Sequence, residues 1–499
     1  MQAYALFLVP FAAGAAAFAV RSDAVRRLLV VGTALVHSGL TLSLWLKPDG
    51  FKAPLDDPDA WLALDATGLL FLSIVSLLFL LSSFYTVGYL RREHEESHQD
   101  VEEGFYFRNA PEAVFTGCLL LFLSAMTLVT ECQHFGLLWV AVEATTLVSA
   151  PLIYFHRQHR SLEATWKYLL ICSVGIALAL LGNFLLAVAA TPAGGTEHVG
   201  LSVGNLSAVA ISLDATWLKA AFVFLLVGYG TKMGLAPMHT WLPDAHSESP
   251  SSVSALLSGA LLNCAFLGIL RAHQVCVAAG HGDFTRELLL GFGLLSMAVA
   301  GIFIVGQADF KRMLAYSSVE HMGILALGTG LGGRDGTFGM LLHAVNHSVT
   351  KAMLFLVAGN ILAFYKTKQS AMIHGMNQVV PWTTALWIAG FLAITGSPPF
   401  GVFLSEFTIL KAALDQGRGF VAALYLALLV LIFVGMATIV LNMAQGEAGT
   451  APQSRPRESP SMIVPPVILG LMALELGLYI PPFLNNMLRT AAGLLGGGS

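Results

Sequence analysis

The chain has 499 residues and a net charge of −4, with 56% hydrophobic and 11% charged residues. Soluble globular domains carry about 25% charged residues, so this composition, with a mean hydropathy of +0.73, excludes an ordinary soluble domain. The slightly acidic balance gives no indication of a nucleic-acid partner. The 5 cysteines form no CxxC pair, so the sequence indicates neither an iron–sulfur cluster nor a disulfide framework.

Apolar blocks of about 20 residues, the length that a helix needs to cross hydrocarbon, recur along the whole chain. Only closed hydrogen-bonded structures survive in lipid, and no strand alternation is visible in these blocks. We therefore predict an all-α integral membrane protein of about fourteen transmembrane helices. The predicted spans are 3–20, 28–46, 66–90, 112–130, 134–155, 164–190, 215–241, 251–276, 287–307, 313–331, 338–365, 382–414, 419–444 and 462–483.

The orientation of these spans follows from the distribution of lysine and arginine between the connections. One side of the membrane carries most of these residues, among them Arg91, Arg92, Lys311 and Arg312, and should be cytoplasmic. An even number of crossings returns the chain to its starting side, so both termini should face outward. The first span has the length of a signal peptide, but it lacks a basic n-region, which favours a retained helix.

Two of the spans contain residues that interrupt a helix. The seventh span contains Gly228, Gly230, Gly234 and Pro237, and the twelfth contains Gly396, Ser397, Pro398 and Pro399. Proline lacks a backbone N–H and clashes with the preceding turn, so both helices should break there. Two breaks five spans apart are expected from two inverted five-helix repeats, spans 4–8 and 9–13. Broken helices at matching positions point to a transport site near the bilayer midplane, and a simple proline kink is the alternative.

These repeats divide the chain into four predicted regions. Residues 1–110 hold helices 1–3 and a cytoplasmic loop, 111–277 the first inverted repeat, 286–445 the second repeat, and 446–499 a loop and the C-terminal helix 14. Residues that carry transport should then lie in the two central regions.

Ionisable residues inside the spans are the strongest functional signal. A charge at the bilayer centre costs at least a few kcal/mol, so it needs a partner or water. Glu143 lies in span five and Lys232 in the broken span seven. We predict that the two side chains face each other and share a labile proton. For each group, burial disfavours the charged form and pairing favours it, so the two effects shift its pKa in opposite directions. A purely structural ion pair is the alternative.

Span eleven carries His343, His347 and Lys351 at positions i, i+4 and i+8. These residues drift by only about 40° per step around a helix, so they form one stripe. Imidazole passes protons near neutral pH, which favours a hydrated proton wire along this stripe. A histidine pair at i, i+4 is also the spacing of a zinc site, but no third ligand with useful spacing is nearby, so no metal is predicted. A histidine hydrogen-bonded to a neighbouring helix is the remaining alternative.

Several further ionisable residues have less certain positions. Glu406 follows the break in span twelve and is a candidate for the last proton acceptor before outward release. Lys167 is either internal or extends its charged end to the interface. Glu320 lies in the polar span ten, close to the cytoplasmic end of that span. Lys411 either belongs to the proton path or lies at the outer interface.

The connection between spans seven and eight is rich in polar and aromatic side chains. It gathers His239, Trp241, Asp244, His246 and Glu248, which we expect at the cytoplasmic surface. Such a cluster is either a funnel for proton uptake, with His246 as a possible relay residue, or a contact surface for a partner subunit.

Three segments resemble a known family. They are GTKMGLAPMHTWLPDAHSESPSSVSALLSG (230–259), ADFKRMLAYSSVEHMG (308–323) and SPPFGVFLSEFTILKAAL (397–414). These segments resemble the antiporter-like membrane subunits of respiratory complex I, group 4 NiFe hydrogenases, formate hydrogenlyases and Mrp cation/proton antiporters. Within that family, the resemblance is greatest to the component F subunits of hydrogenase-4. The similarity covers roughly residues 65–445.

The resemblance implies roles for individual residues. Glu143 and Lys232 match the glutamate–lysine pair of the family, His321 and His347 match its central histidines, and Glu406 matches a glutamate that some members place in span twelve. The chain departs from the family in span eight, where many members carry lysine or histidine and this sequence has Asn263. Asparagine cannot hold a charge, so proton transfer there would need water, or His343 and Lys351 would take over.

By this resemblance, the chain would be a proton-translocating subunit of a complex I-related redox complex in the bacterial inner membrane. The charge distribution described above would place both termini in the periplasm. No cofactor is expected in this chain, and NiFe and iron–sulfur centres or quinone would belong to partner subunits. The expected partners are other membrane subunits and the lipid bilayer. Three alternatives stay open: a subunit of a secondary Mrp-type Na⁺/H⁺ antiporter, a subunit of a proton-coupled inorganic-carbon uptake system, and a structural subunit without transport of its own.

Overall fold

The computed structural model describes residues 2–46, 57–93, 98–99, 104, 106–191, 199–446 and 458–496. The helices of the first half are α1 (Gln2–Ala19), α2 (Asp23–Trp45), α3 (Ala66–Arg92), α4 (Glu112–Glu131), α5 (Phe135–Ile153), α6 (His159–Ala189), α7 (Val203–Ala208), α8 (Ala215–Met233), α9 (Trp241–Glu248), α10 (Ser251–Leu256) and α11 (Leu262–Ala278). The helices of the second half are α12 (Gly282–Ile304), α13 (Phe310–Leu331), α14 (Gly333–Tyr365), α15 (Met376–Val379), α16 (Pro381–Ile394), α17 (Gly401–Asp415), α18 (Gly419–Ala444), α19 (Pro460–Leu478) and α20 (Pro482–Leu494). Two short strands, β1 (His98–Gln99) and β2 (Tyr106–Phe107), pair antiparallel between α3 and α4.

Local sequence chemistry sets several helix ends. α3, α8 and α13 each begin after an aspartate, at positions 65, 214 and 309, whose carboxylate accepts backbone N–H bonds of 2.7–2.8 Å from the first turn. Such N-caps satisfy donors that have no partner within the helix. α8 is capped at its C-terminus by Gly234, whose φ of 86° is the left-handed conformation that glycine adopts without steric cost.

The helices form a bundle with the surface of a membrane protein. Among the described residues, ten helices are long and apolar enough to cross a bilayer. Large apolar side chains face outward, including Leu28, Phe184 and Phe420, which are 72%, 61% and 79% exposed. Such exposed apolar side chains occur on many of the helices, as expected of a surface that faces lipid. The predicted all-helical membrane class is therefore confirmed.

Both predicted interruptions are present. α8 ends at Met233 and α9 begins at Trp241, so a short non-helical link replaces the helix around Pro237. α16 ends at Ile394 and α17 begins at Gly401, with Pro398 and Pro399 in the link. A third interruption, which the sequence did not predict, is the π-helical turn Leu257–Leu261 between α10 and α11.

The interior of the bundle is built around α14. This helix of 33 residues packs against α3, α10, α13, α16, α17 and α19. Its polar residues therefore face protein and not lipid. Close helix packing elsewhere relies on small residues, because a Cβ on Gly228 of α8 would lie 2.6 Å from the carbonyl oxygen of Gly175 on α6.

Some parts of the chain differ from the sequence prediction. The short helices α7 and α15 and the strands β1 and β2 were not predicted, and neither was α20, which packs on α3 and α14. The loop predicted to close residues 1–110 and the loop predicted to open residues 446–499 lie largely outside the described residues.

Candidate functional site

Ionisable side chains are buried together in the middle of the bundle, on helices next to the two breaks. The fully or almost fully buried ones are Lys232, His246, Lys311, Glu320, His321, His343, His347, Lys351 and Glu406. Burying so many such groups in a membrane protein is costly, and they mark ion pathways when they face the bundle interior. This set is the candidate site, and it extends from α8 to α17.

Lys232 occupies the last turn of α8, directly before the break. Its Nζ donates to Tyr168 OH at 2.6 Å and to Thr146 Oγ1 at 2.8 Å, and it lies 4.4 Å from the centre of the Tyr168 ring. Tyr168 OH is also 2.6 Å from Ser149 Oγ. The buried ammonium group is thus held by hydroxyl groups of α5 and α6. A chain of hydrogen bonds leads from Lys232 through Tyr168 to Ser149.

The predicted direct pairing of Glu143 with Lys232 is wrong. Glu143 accepts a hydrogen bond of 2.8 Å from Ser173 Oγ, and its second oxygen has no partner among the described residues. Within 4.0 Å, Lys232 meets no carboxylate in the described part of the chain. The reason is the rotation of α5, which turns Thr146 toward Lys232 and Glu143 toward α6.

The central histidines come from α13 and α14. His321 Nδ1 and His343 Nε2 are 2.9 Å apart, and His343 Nδ1 is 3.0 Å from Ser405 Oγ on α17. The His347 ring lies 5.2 Å from the His321 ring, and neither nitrogen of His347 has a partner in the described structure. His343 therefore connects α13 to α17, with one ring nitrogen toward each neighbour.

Lys351 and Glu320 extend this centre toward α13. Lys351 Nζ donates to the Leu314 carbonyl at 2.7 Å, and it forms no ion pair with the described carboxylates. Glu320 is buried, and its Oε2 is 4.0 Å from His321 Nε2. Both groups lie in the same interior region as the histidines.

Glu406 lies on α17 against the second break. Its carboxylate rests on Gly396, which has a φ of 63° and leaves no room for a Cβ. Ligand atoms of His321, His343 and Glu406 lie within 4.8 Å of one another. The sequence argument against a metal considered His343 with His347, whereas the structure groups His343 with His321 and Glu406 from two other helices. Two imidazoles and a carboxylate are a donor set that zinc accepts, and the same proximity suits proton transfer.

The segment after the first break lies deeper than predicted. Trp241 and His246 are fully buried, His246 stacks on Phe355 with ring centres 5.0 Å apart, and neither of its nitrogens has a partner among the described groups. Only part of the segment reaches the surface, where Asp244 pairs with Arg312 at 3.1 Å. His246 thus belongs to the interior site and not to a surface funnel.

Asn263 lies on α11 beside the π-helical turn. It donates to Ser348 Oγ at 2.6 Å and to the Gly259 carbonyl at 3.0 Å, while its Oδ1 has no partner among the described residues. The side chain is fixed between α11 and α14. It supplies no charge to the site.

Two candidates lie at the surface. Lys167 is 45% exposed and pairs with Glu163 at 2.6 Å and with Asp244 at 2.9 Å. Lys411 is 51% exposed and pairs with acidic residues of α14 and α17 at 2.6 and 2.7 Å. Exposed ion pairs of this kind contribute little to folding stability. The interfacial interpretation of both lysines is the one that the geometry supports.

Sequence reasoning missed Lys311 of the buried set and Tyr168, which contacts that set. Tyr168, which binds Lys232, was unmarked because a tyrosine in an apolar helix is usually a packing residue. Lys311 was assigned to a cytoplasmic connection, yet it is fully buried and donates to the Ser249 carbonyl at 2.6 Å. A signal for its position exists in the sequence, since Lys311 and the polar Ser318 of span ten share one helical face.

A buried polar cluster also lies where α3, α4 and α11 meet. Arg271 and Asp65 form a bidentate pair of 2.5 and 2.7 Å, each with 1% of its side chain exposed. Both carboxylate oxygens of Glu131 are buried without a partner among the described residues. This cluster is separate from the set that runs from Lys232 to Glu406.

Comparison with known proteins gives concordant matches. A family model described as NADH:quinone oxidoreductase/Mrp antiporter, TM, matches residues 132–432. The chain is 34% identical over 429 residues to the hydrogenase-4 component F homolog of Methylacidiphilum infernorum, covering 86% of this chain and 87% of that protein. It is 28% identical to hydrogenase-4 component B of Escherichia coli, covering 79% of this chain but only 56% of that longer protein. It is 29% identical to NADH-quinone oxidoreductase subunit N of Desulforudis audaxviator, covering 71% and 72%.

Solved structures with a similar fold span the whole chain. A chain of the archaeal membrane-bound sulfane sulfur reductase has a TM-score of 0.85 at 21% identity, covering 99% of this chain and 98% of that one. A chain of the Mrp complex from Dietzia has a TM-score of 0.84 at 20% identity, with the same coverage of 99% and 98%. A chain of respiratory complex I from Thermus thermophilus has a TM-score of 0.81 at 24% identity and covers 100% of both chains. At these identities the likeness concerns the fold alone.

Proposed function

This chain belongs to the NADH:quinone oxidoreductase/Mrp antiporter transmembrane family, and we propose that it is the proton-translocating membrane subunit of a complex I-related redox complex. The observation that carries the proposal is the set of buried ionisable side chains between Lys232 and Glu406, which adjoins both helix breaks. Groups of this kind in a membrane interior are retained for transport, because they cost folding free energy.

The proposed architecture has fourteen spans. The ten helices that meet length and hydropathy criteria are joined by α1, α8, α13 and the broken pair α16–α17. Spans 4–8 and 9–13 form two inverted repeats, residues 111–277 and 286–445, flanked by regions 1–110 and 446–499. The positions of the two breaks support this division. Both chain ends then face the periplasm across the bacterial inner membrane.

The first half of the proposed path is organised by Lys232. Lysine is suited to holding a transferable proton, because its proton affinity falls readily when it is buried. Tyr168 and Ser149 provide hydroxyls through which a proton can pass from the ammonium into α5 and α6. Glu143 tunes this lysine electrostatically at a distance and does not touch it.

The second half of the proposed path runs through the α13–α14–α17 centre. Lys351 and His347 receive the proton, His321 and His343 pass it across their 2.9 Å contact, and Glu406 accepts it beside the second break. Histidine suits this relay because one ring nitrogen can accept while the other donates. Water is required between groups that are further apart than a hydrogen bond.

The driving reaction is assigned to partner subunits. We infer that NiFe, iron–sulfur or quinone chemistry belongs to neighbouring chains, because this chain offers only ion-conducting groups and its relatives are named as hydrogenase-4 components and a quinone oxidoreductase subunit. This chain would then respond to an electrostatic or conformational change that shifts the proton affinities of Lys232 and Glu406.

The test is proton pumping by the assembled complex reconstituted in vesicles. Glu143→Gln and Lys232→Met should each strongly lower redox-driven proton uptake while the subunit composition stays intact. His347→Ala should have a comparable effect. Lys411→Met, at a surface lysine, is the matched control and should pump normally. Undiminished pumping in both the Glu143 and the Lys232 variants would remove the relay assignment.

A second candidate is a subunit of a secondary Na⁺/H⁺ antiporter. Two observations favour it: the matched family description includes Mrp antiporters, and the chain is 28% identical to a Na⁺/H⁺ antiporter subunit of Alkalihalophilus pseudofirmus, covering 83% of this chain and 52% of that protein. The two functions differ in their energy source. Proton movement that is driven by a sodium gradient without any redox substrate would favour the antiporter.

A further inference from the structure

A groove of about 770 Å³ opens on the outer surface between α2, α3 and α19. Its walls are almost wholly apolar and include Leu28, Val31, Phe84 and Ile468. The volume lies within the range of about 300–1,000 Å³ that is typical of small-molecule sites. On a helix bundle that faces lipid, an apolar groove of this size has the dimensions of a site for hydrocarbon chains.

The length of the groove matches one membrane leaflet. Along α3 it extends from Arg91 to Leu81, ten residues apart, which is about 15 Å at a rise of 1.5 Å per residue. The hydrocarbon core of a bilayer is about 30 Å thick. A groove of this length that begins at the polar boundary of the membrane would extend to about the midplane, as an acyl chain of one leaflet does.

Two arginines mark one end of the groove. Arg27 forms a bidentate pair with Glu112 at 2.7 and 2.8 Å and also approaches the Leu90 carbonyl at 3.4 Å. Arg91 is exposed and has no hydrogen-bond or ion-pair partner among the described residues. The charge of Arg27 is thus neutralised by Glu112, whereas the Arg91 guanidinium on α3 is available to bind an anion.

We propose that this groove binds an anionic phospholipid of the leaflet on the arginine side. The phosphate contacts Arg91 and the acyl chain lies along α2, α3 and α19. Anionic lipids are enriched on the cytoplasmic side, and basic pockets between transmembrane helices there bind their headgroups. The bound lipid fills space that the three helices leave open and holds α2 and α19 against α3. This role is independent of the proposed proton path.

Native mass spectrometry of the purified complex tests the proposal after delipidation and titration with phosphatidylglycerol or phosphatidylcholine. The parent protein should retain phosphatidylglycerol in preference to phosphatidylcholine. Arg91→Gln should weaken phosphatidylglycerol binding about fivefold, which corresponds to about 1 kcal/mol for one basic residue at the membrane surface. Val464→Trp, which fills the groove, should abolish binding of both lipids.

Two matched controls separate the groove from general effects. Arg108→Gln removes an exposed arginine elsewhere, and Leu471→Trp adds the same bulk to an exposed position of α19 outside the groove. Both should bind phosphatidylglycerol like the parent. Equal binding in the Arg91 variant and the parent would overturn the anionic preference. Equal binding in the Val464 and Leu471 variants, or crosslinking of Val464→Cys to a neighbouring protein and not to lipid, would overturn the site.

Discussion

Replacing Tyr168 with phenylalanine tests the hydroxyl contact with Lys232, which the sequence did not predict. The substitution removes one hydroxyl, which accepts from Lys232 at 2.6 Å and contacts Ser149 at 2.6 Å, and it keeps the aromatic ring 4.4 Å from the ammonium. A hydrogen bond to a charged group contributes about 1.5–3 kcal/mol. If the hydroxyl serves the proton transfer, the rate should fall by about one to two orders of magnitude.

The assay is the initial rate of proton uptake by the reconstituted complex during turnover, with the redox rate recorded in the same vesicles. Tyr425→Phe is the matched control, because Tyr425 is a buried tyrosine of α18 whose hydroxyl has no partner among the described residues. The Tyr425 variant should pump like the parent. If the Tyr168 and Tyr425 variants pump equally well, the hydroxyl connection at Lys232 has no part in transport.

Two further substitutions address stability and the second break. Arg271→Met leaves the buried Asp65 carboxylate without its partner, so it should lower the free energy of unfolding by about 3–5 kcal/mol, measured as a lower Tm of the detergent-solubilised protein. Adding Asp65→Leu should recover part of that loss. A double variant that is no more stable than the single one would contradict this account. Gly396→Ala places a methyl group against the Glu406 carboxylate at a positive φ, so it should impair pumping. Gly306→Ala has a similar φ of 75° but open space around it, and equal defects in both glycine variants would point to backbone strain alone.

The helices and their interruptions could be predicted from sequence because they depend on local properties. Apolar segments of sufficient length form helices in lipid whatever surrounds them, and proline breaks a helix through its own missing donor. The stripe of His343, His347 and Lys351 was equally accessible, since the helical repeat alone sets which residues of one helix share a face. All three are buried on α14.

Contacts between helices could not be predicted in this way. Glu143 and Thr146 are separated by three residues on α5, which is about 4.5 Å along the axis and about 60° around it. Whether one or the other meets Lys232 depends on how α5 is rotated against α8, and that rotation follows from side-chain packing along the whole interface. The same dependence hid Tyr168 as the partner of the lysine.

By itself, the sequence determined a helical membrane protein with two broken helices and with ionisable residues inside its spans, because each of these properties resides in one segment. Only the tertiary structure decided which of those residues meet. It brought His321, His343 and Glu406 together from three helices, buried Lys311 and His246, and left Lys167 and Lys411 at the surface. The physical reason is that a proton path consists of distances between helices, and packing of the bundle sets those distances.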